Sequence, residues 1–474
     1  MWFEWYYLGE WMIRLAMVLE VPRRRSPAAA TAWLTVIFFF PWIGLVLYLL
    51  IGANRPQKHR LEQHERLQKA LQKGKEHFAQ EITAFRPALE PGSANIAAFV
   101  EILGGMPISD GNQVELIAEA DRFIRRLIAD IDAAVQHVHL LFYIYENDEV
   151  GCRVNEALAK AIKRGVTCRL LLDAHGSRKM LAHQRDRLLQ AGIEVHDALP
   201  VISLQRFLGR ADWRNHRKIV VIDGQIAYTG SQNIVDPSYG HSDPELVWRD
   251  LVARLTGPAV LQLQTIFFGD WFMETGIMLD AEQSFPPPRA KGDIPVQALP
   301  SGPIYAPHNY QRLVLSALFH ARQQVTITTP YFVPDDALMQ AIEIACRRGV
   351  EVSLVVPKKS DQLLPGNAAK SYFEDLLTYG VRLYRFTGGL LHAKSMSIDE
   401  RFCFFGSSNF DIRSFALDFE IDLVFYGTEQ TQNLRAHQHA YIKQSELLTL
   451  EAWQNRSTTQ RIGENIAKLF SPLL

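Results

Sequence analysis

From about Val114 the chain alternates short apolar runs with stretches of helical period, and it does so twice. Val138-His139-Leu140-Leu141-Phe142-Tyr143-Ile144 is predicted to be a strand. A helix near Arg153–Arg164 follows, because Val154, Ala157, Leu158, Ala161 and Ile162 recur at the spacing that gathers them on one face. Gly165 can end that helix, and Val166–Leu172 reads as the next strand. The second half repeats the series with Val325–Thr329, a helix near Asp335–Arg348, Gly349 and Val350–Val356. Aligning Gly165 with Gly349 puts Val154 on Leu338, Ala157 on Ala341, Leu158 on Ile342 and Ala161 on Ala345. Further on, Ala191-Gly192-Ile193-Glu194-Val195 is answered by Tyr379-Gly380-Val381-Arg382-Leu383. The pattern predicts an α/β protein of two similar lobes, residues 110–270 and 295–474, joined by a connection over 271–294. Each lobe is expected to be a sandwich of mostly β structure with helices outside.

The N-terminal hydropathy has a different character. Ala28 to Ala53 is 26 residues without a formal charge, roughly 39 Å as a helix and so long enough to cross a hydrocarbon core of about 30 Å. Pro41 should kink it, and Trp33, Trp42 and Tyr48 suit interfacial depths. This predicts an N-terminal membrane region over 1–53 with a spanning helix at about 28–53. A juxtamembrane helix and linker over 54–109 should follow, polar and helix-prone through about Lys75. Residues 1–21 are aromatic-rich but interrupted by Glu4, Glu10, Arg14 and Glu20, so spanning, re-entrant and interfacial forms all stay open for them.

Composition narrows the classes. The 474 residues carry 50 Lys+Arg against 51 Asp+Glu, which argues against a histone-like or tail-driven nucleic-acid binder but leaves room for a local basic groove. Four cysteines, Cys152, Cys168, Cys346 and Cys403, are far apart and form no CxxC pair, which argues against a disulfide scaffold and a structural zinc site. His137, His139, His175, His196, His241 and His308 show no metal-ligand spacing. Gly366-Asn367-Ala368-Ala369-Lys370-Ser371 looks like a P-loop only superficially, its spacing being wrong. Phe267, Phe268, Trp271 and Phe272 are expected in the core between lobes.

The chemistry sits where the repeat is sharpest. His216-Arg217-Lys218, four residues and Asp223 are answered by His392-Ala393-Lys394, four residues and Asp399. Downstream, Gly230-Ser231-Gln232-Asn233 answers Gly406-Ser407-Ser408-Asn409. In extended chain, residues two apart point the same way, so each histidine and its lysine can face one cleft. Two histidines suit a phosphorus centre: one attacks it and the other protonates the departing oxygen. The lysines, with Ser231, Asn233, Ser407 and Asn409, can balance charge on the nonbridging oxygens. Asp223 and Asp399 are grouped with the catalytic set but sit where a turn or supporting carboxylate would. No metal and no cofactor is required by this chemistry.

These paired motifs resemble those of the phospholipase D superfamily, whose two HxKxxxxD copies form one active site across a pseudo-twofold axis. Within it the chain is similar to the bacterial cardiolipin synthases. The likeness extends to Arg25-Ser26-Pro27, Ala32-Trp33-Leu34, Pro41 and Gly44, to Asn215-His216-Arg217-Lys218-Ile219, and to the run from Gly406 through Asn409 and Asp411 to Phe415. The resemblance implies an acid for each histidine: Glu420 in the second lobe and Asp250 in the first, with Asp243 and Glu245 competing for the latter role. It implies His216 as nucleophile and His392 as general acid and base, the pseudo-symmetry leaving the assignment reversible. The implied reaction turns two phosphatidylglycerol molecules into cardiolipin and glycerol through a phosphatidyl-histidine, with no nucleotide and no nucleic-acid partner. It also implies a bacterial inner-membrane location with cytoplasmic lobes. The competing readings are a membrane-bound phospholipase D passing the intermediate to water or a small alcohol, and a noncatalytic lipid-surface scaffold.

Overall fold

The computed structural model describes residues 2–25, 27–52, 62–63, 65–66, 82–200, 213–241, 243 and 246–469. The chain divides into two units, a small one of Met1–Arg66 with Pro200–Trp213 and a large one of Leu67–Leu199 with Arg214–Leu474.

In the small unit a helix over Trp2–Glu20 is followed by shorter ones over Pro27–Phe39 and Pro41–Leu47 and a π-helical turn over Tyr48–Gly52. They pack around Met17, Val21, Ala30, Ile37 and Tyr48. Pro41 interrupts the apolar run instead of merely kinking it, since it occupies the first turn of a new helix and Phe40 before it leaves helical geometry at φ −132°. The longer Trp2–Glu20 helix carries Glu4, Glu10, Arg14 and Glu20. Among the described residues, no helix is long and apolar enough to cross a membrane. That finding overturns the expected spanning helix over 28–53, the membrane region over 1–53 and the inner-membrane location inferred from them. Of the expected juxtamembrane helix and linker over 54–109, residues 54–61, 64 and 67–81 lie outside the described residues.

The large unit is organised on one 15-stranded mixed sheet, in which the duplication is written out strand by strand. From the centre outward the first lobe contributes Ser109–Ile117, Val252–Thr256, Ile226–Gly230, Ile219–Ile222, His137–Phe142, Thr167–Asp173 and Glu194–Ala198. The second contributes Ile294–Ser301, Glu420–Tyr426, Phe402–Gly406, Lys394–Ile398, Gln324–Thr328, Glu351–Pro357 and Arg382–Phe386 in the same order, with Ser445–Leu448 added at its edge. The halves join where Ser109–Ile117 runs antiparallel to Ile294–Ser301. Each lobe is thus half of one continuous sheet rather than the expected β sandwich, because central strands such as His137–Phe142, Ile219–Ile222 and Glu420–Tyr426 are buried on both faces and both faces take helices.

The crossover helices form where the spacing places them. Glu149–Lys163 buries Val154, Ala157, Leu158 and Ala161, while Asp336–Arg347 buries Leu338, Ala341, Ile342 and Ala345. Asp148 accepts the Gly151 N–H and Asp335 the Leu338 N–H, so each helix has a side-chain N-cap of about 1 kcal/mol. Gly165 and Gly349 follow the two C-termini at φ 88° and 84°, a conformation only glycine adopts without strain. On the opposite side of the sheet one apolar cluster runs through both lobes beneath Val260–Thr275, whose Phe267, Phe268 and Trp271 are buried in it.

Candidate active site

The two motifs approach the centre by the same backbone device. The His216 N–H donates to the Phe419 carbonyl at 2.9 Å, and the His392 N–H to the Arg249 carbonyl at 2.8 Å. Phe419 and Arg249 are the residues immediately before Glu420 and Asp250. Each histidine is therefore laid beside the acid of the other lobe. His392 Nδ1 lies 2.6 Å from Asp250 Oδ1, and His216 Nδ1 lies 3.2 Å from Glu420 Oε1.

The Gly-Ser pairs explain how the acids are held. A Cβ on Gly230 would stand 2.3 Å from the Leu251 carbonyl oxygen and one on Gly406 would stand 2.2 Å from that of Ile421. Only glycine lets the acid-bearing strand come so near. The next residue then bonds the acid: Ser231 Oγ donates to Asp250 Oδ1 at 2.6 Å, and Ser407 Oγ to Glu420 Oε2 at 2.5 Å. Both serines also accept a backbone N–H, from Leu251 and from Ile421. Ser231 and Ser407 thus orient the carboxylates, and Ser407 also lines the cleft over them. Ser414 Oγ gives Glu420 a second hydrogen bond at 3.1 Å.

A cleft of about 260 Å³ opens over this centre, lined among others by His216, Lys218, His392, Lys394, Asn233, Asn409 and Asp250. Lys218 Nζ donates to the His216 carbonyl at 2.6 Å and Lys394 Nζ to the His392 carbonyl at 2.7 Å, which fixes each ammonium beside its histidine with donors to spare. Asn233 Oδ1 accepts the Ile144 N–H at 3.0 Å, whereas the buried Asn409 Oδ1 has no hydrogen-bond partner among the described residues.

Asp223 and Asp399 are placed elsewhere and do not line the cleft. Asp223 accepts the N–H groups of Val135, Gln136 and His137, and Asp399 those of Arg322, Gln323 and Gln324. Both are turn residues in the left-handed region, at φ 54° and 49°, that fasten the entry of a neighbouring strand. The structure thus places both at strand entries away from the cleft, in the supporting position their turns suggest.

Several residues were missed in the sequence. Asp418 Oδ2 is 3.4 Å from His216 Nδ1, sharing it with Glu420. The Asp-x-Glu spacing on extended chain was a usable signal for it. The rings of Tyr143 and His216 lie 4.1 Å apart, those of Trp248 and His392 4.7 Å. Arg217, fully buried, pairs with Asp270 at 2.6 Å and donates to the carbonyls of Glu420 and Ser301, tying the first motif to the second lobe. Asp243 instead pairs with Lys359 at 3.6 Å, and Glu245 lies outside the described residues.

The electrostatics of the two pairs differ. Burial lowers the His216 imidazole to about 4 in spite of Asp418, and raises Glu420 and Asp418 to about 6 each. Burial also lowers His392, against the pull of Asp250. Asp250 itself, although buried, is held below the usual carboxylate range by His392. Lys394 is brought down to about 7, chiefly by burial. His216, Asp418 and Glu420 bring three ligand-type atoms within 4.8 Å of one another, but Arg413 at 3.0 Å from Asp418 already answers part of that charge.

A family model described as cardiolipin synthase, PLD-like domain matches residues 127–271 and 314–441, and one described as phospholipase D-nuclease N-terminal matches 13–52. Cardiolipin synthase A of Pectobacterium carotovorum subsp. carotovorum is 38% identical over 98% of this chain and 97% of its own length. That of Escherichia coli K12 is 36% identical with the same coverage. Among solved structures, phosphatidylserine synthase of Haemophilus influenzae Rd KW20 aligns with a TM-score of 0.59 at 16% identity, covering 81% of this chain and 98% of that one, which shows a shared fold.

Proposed function

The chain belongs to the cardiolipin synthase family of the phospholipase D superfamily, and on that premise we propose that it passes the phosphatidyl group of one phosphatidylglycerol to the headgroup hydroxyl of another. The products are cardiolipin and glycerol. The observation that carries this reading is the meeting of two His-Lys pairs, from opposite halves of the chain, in one cleft.

In the first step neutral His216 attacks phosphorus through Nε2, its Nδ1 being engaged by Glu420 and Asp418. The N–P bond forms, the P–O bond to glycerol breaks, and protonated His392 gives its proton to the departing oxygen. In the second step His392 takes the proton of the acceptor hydroxyl, the new P–O bond forms and the N–P bond breaks. One phosphodiester replaces another, so the exchange is balanced without a nucleotide. Lys218 and Lys394 supply donors to the nonbridging oxygens as charge builds on them.

The unequal acids support this division of labour. Both imidazoles are lowered by burial, but an ionised Asp250 at 2.6 Å pulls His392 back toward the imidazolium form that a general acid needs. His216 meets its acids at 3.2 and 3.4 Å, and burial keeps it neutral, as a nucleophile needs. The test is to give purified protein labelled phosphatidylglycerol and identify every product. Cardiolipin and glycerol in equal amounts are expected. Phosphatidic acid without cardiolipin would make water the acceptor and overturn the reading.

A further inference from the structure

The pseudo-twofold fails at one corner of the cleft. Gly165 matches Gly349, a shift of 349 − 165 = 184 that carries Ser177 of the first lobe onto Asp361 of the second. Ser177 is buried with its hydroxyl committed to the backbone, donating to the Tyr143 carbonyl at 2.9 Å and accepting the Tyr145 N–H at 3.0 Å. Asp361 faces the cleft instead and is only partly covered. Tyr331 OH, also at the cleft wall, reaches its two carboxylate oxygens at 2.6 and 2.8 Å. The Asp361 charge acts on Lys394, so this corner belongs to the side of the cleft that holds the second motif.

A carboxylate here needs a chemical reason. It is an acceptor only, so it repels the nonbridging oxygens of a phosphodiester, which the histidines and lysines already serve. Its counterpart in a ligand must bring hydrogen-bond donors. A glycerol headgroup does so, carrying hydroxyls beyond the one that reacts. We propose that Asp361, oriented by Tyr331, recognises the polyol headgroup by accepting a hydrogen bond from a non-reacting hydroxyl on the His392 side of the cleft. This rests on the reading of the chain as a phosphatidyltransferase that releases and accepts glycerol groups. The contact holds the reacting hydroxyl against His392, which takes its proton as the P–O bond forms and the His216 N–P bond breaks. Water and simple alcohols have no second hydroxyl to offer, so Asp361 favours a glycerol acceptor over them.

Transfer from labelled cardiolipin to free glycerol or to methanol tests this, with kcat/KM measured for each acceptor. Asp361→Asn keeps the shape of the side chain and removes its charge. In that variant the glycerol-to-methanol ratio should fall about tenfold or more, the loss of one charge-assisted hydrogen bond, with methanol transfer changing by a smaller factor. Tyr331→Phe, which frees the carboxylate to rotate, should lower the same ratio. An unchanged ratio in Asp361→Asn, or equal losses for both acceptors, would overturn the proposal. If the unaltered protein transfers to neither glycerol nor phosphatidylglycerol, the functional reading itself fails before any variant is compared.

Discussion

His392 and Asp250 meet at 2.6 Å, Nδ1 to Oδ1, across 142 residues of chain and across the boundary between the lobes. The reciprocal pair, His216 with Glu420, is longer at 3.2 Å and has Asp418 as a second acid at 3.4 Å. Removing the acids should therefore hurt unequally. Asp250→Asn is expected to lower kcat by about 10³-fold or more, since it leaves His392 without the carboxylate that fixes its tautomer. Glu420→Gln should cost roughly 10- to 100-fold while Asp418 remains, the damage that tautomer loss brings being softened by the second acid. Steady-state rates of the two variants and of the Glu420→Gln/Asp418→Asn double variant check the order.

The histidines should differ in what they trap. With His392→Ala, a donor bearing a good leaving group still loads His216, because that group needs little protonation. With His216→Ala no adduct should form. Intact-protein mass spectrometry after rapid quenching, then peptide mapping under conditions that preserve phosphohistidine, distinguishes the cases. A lipid adduct on His392 would reverse the roles.

The pH profile follows from the depressed groups. His216, brought down to about 4 by burial, stays neutral through the whole range above pH 5 and sets no acidic limit there. Lys394, lowered to about 7, gives up its proton as the pH climbs past neutrality. Its hold on the phosphate is complete below that point and lost above it. kcat/KM for the free enzyme should accordingly fall on the alkaline side of pH 7. Lys394→Arg, whose charge does not titrate there, should flatten that limb even if its absolute rate is lower.

Arg217 is fully buried beside Asp270. Arg217→Ala strands the Asp270 charge and frees the Glu420 and Ser301 carbonyls, so unfolding stability should drop by about 3–5 kcal/mol. Urea denaturation measures it. Arg217→Lys should recover only part of the loss, because an ammonium cannot reproduce the planar fork that serves the carboxylate and both carbonyls.

Asp223→Ala removes the acceptor of three backbone N–H groups, at a cost of about 3 kcal/mol. Its melting temperature should fall. The fraction that stays folded should still load His216 from an activated donor, unlike His216→Ala. A folded Asp223→Ala protein that forms no adduct would return this aspartate to the catalytic set.

Much of this was readable in the sequence wherever a local rule governed it. The buried faces at Val154 and Leu338, the stops at Gly165 and Gly349 and the two His-x-Lys pairs follow from period and spacing alone. Asp250 and Glu420 were found by resemblance, but their exchange between lobes depends on a register, Asn215 beside Phe419 and Leu391 beside Arg249, that only the folded chain sets. The Gly-Ser pairs were visible as a motif, though their reason, a strand passing within van der Waals reach, was not. The apolar run over 28–53 misled for the opposite cause. Hydropathy sums over a window and does not register that Pro41 divides it into two helices of 13 and 7 residues.

The exchanged acids also bear on how the protein is made. A ribosome delivers His216 well before Glu420, which lies 204 residues further along. At ordinary elongation rates that interval is roughly 10 to 40 s. During it the emerging first half can fold its own strands around an orphaned imidazole whose partner has not been synthesised. Asp250 waits in the same way for His392. A nascent chain short of His392 therefore holds neither His–acid pair, one that has passed His392 holds only the pair with Asp250, and the capacity to break a phospholipid arrives only when translation has passed Glu420.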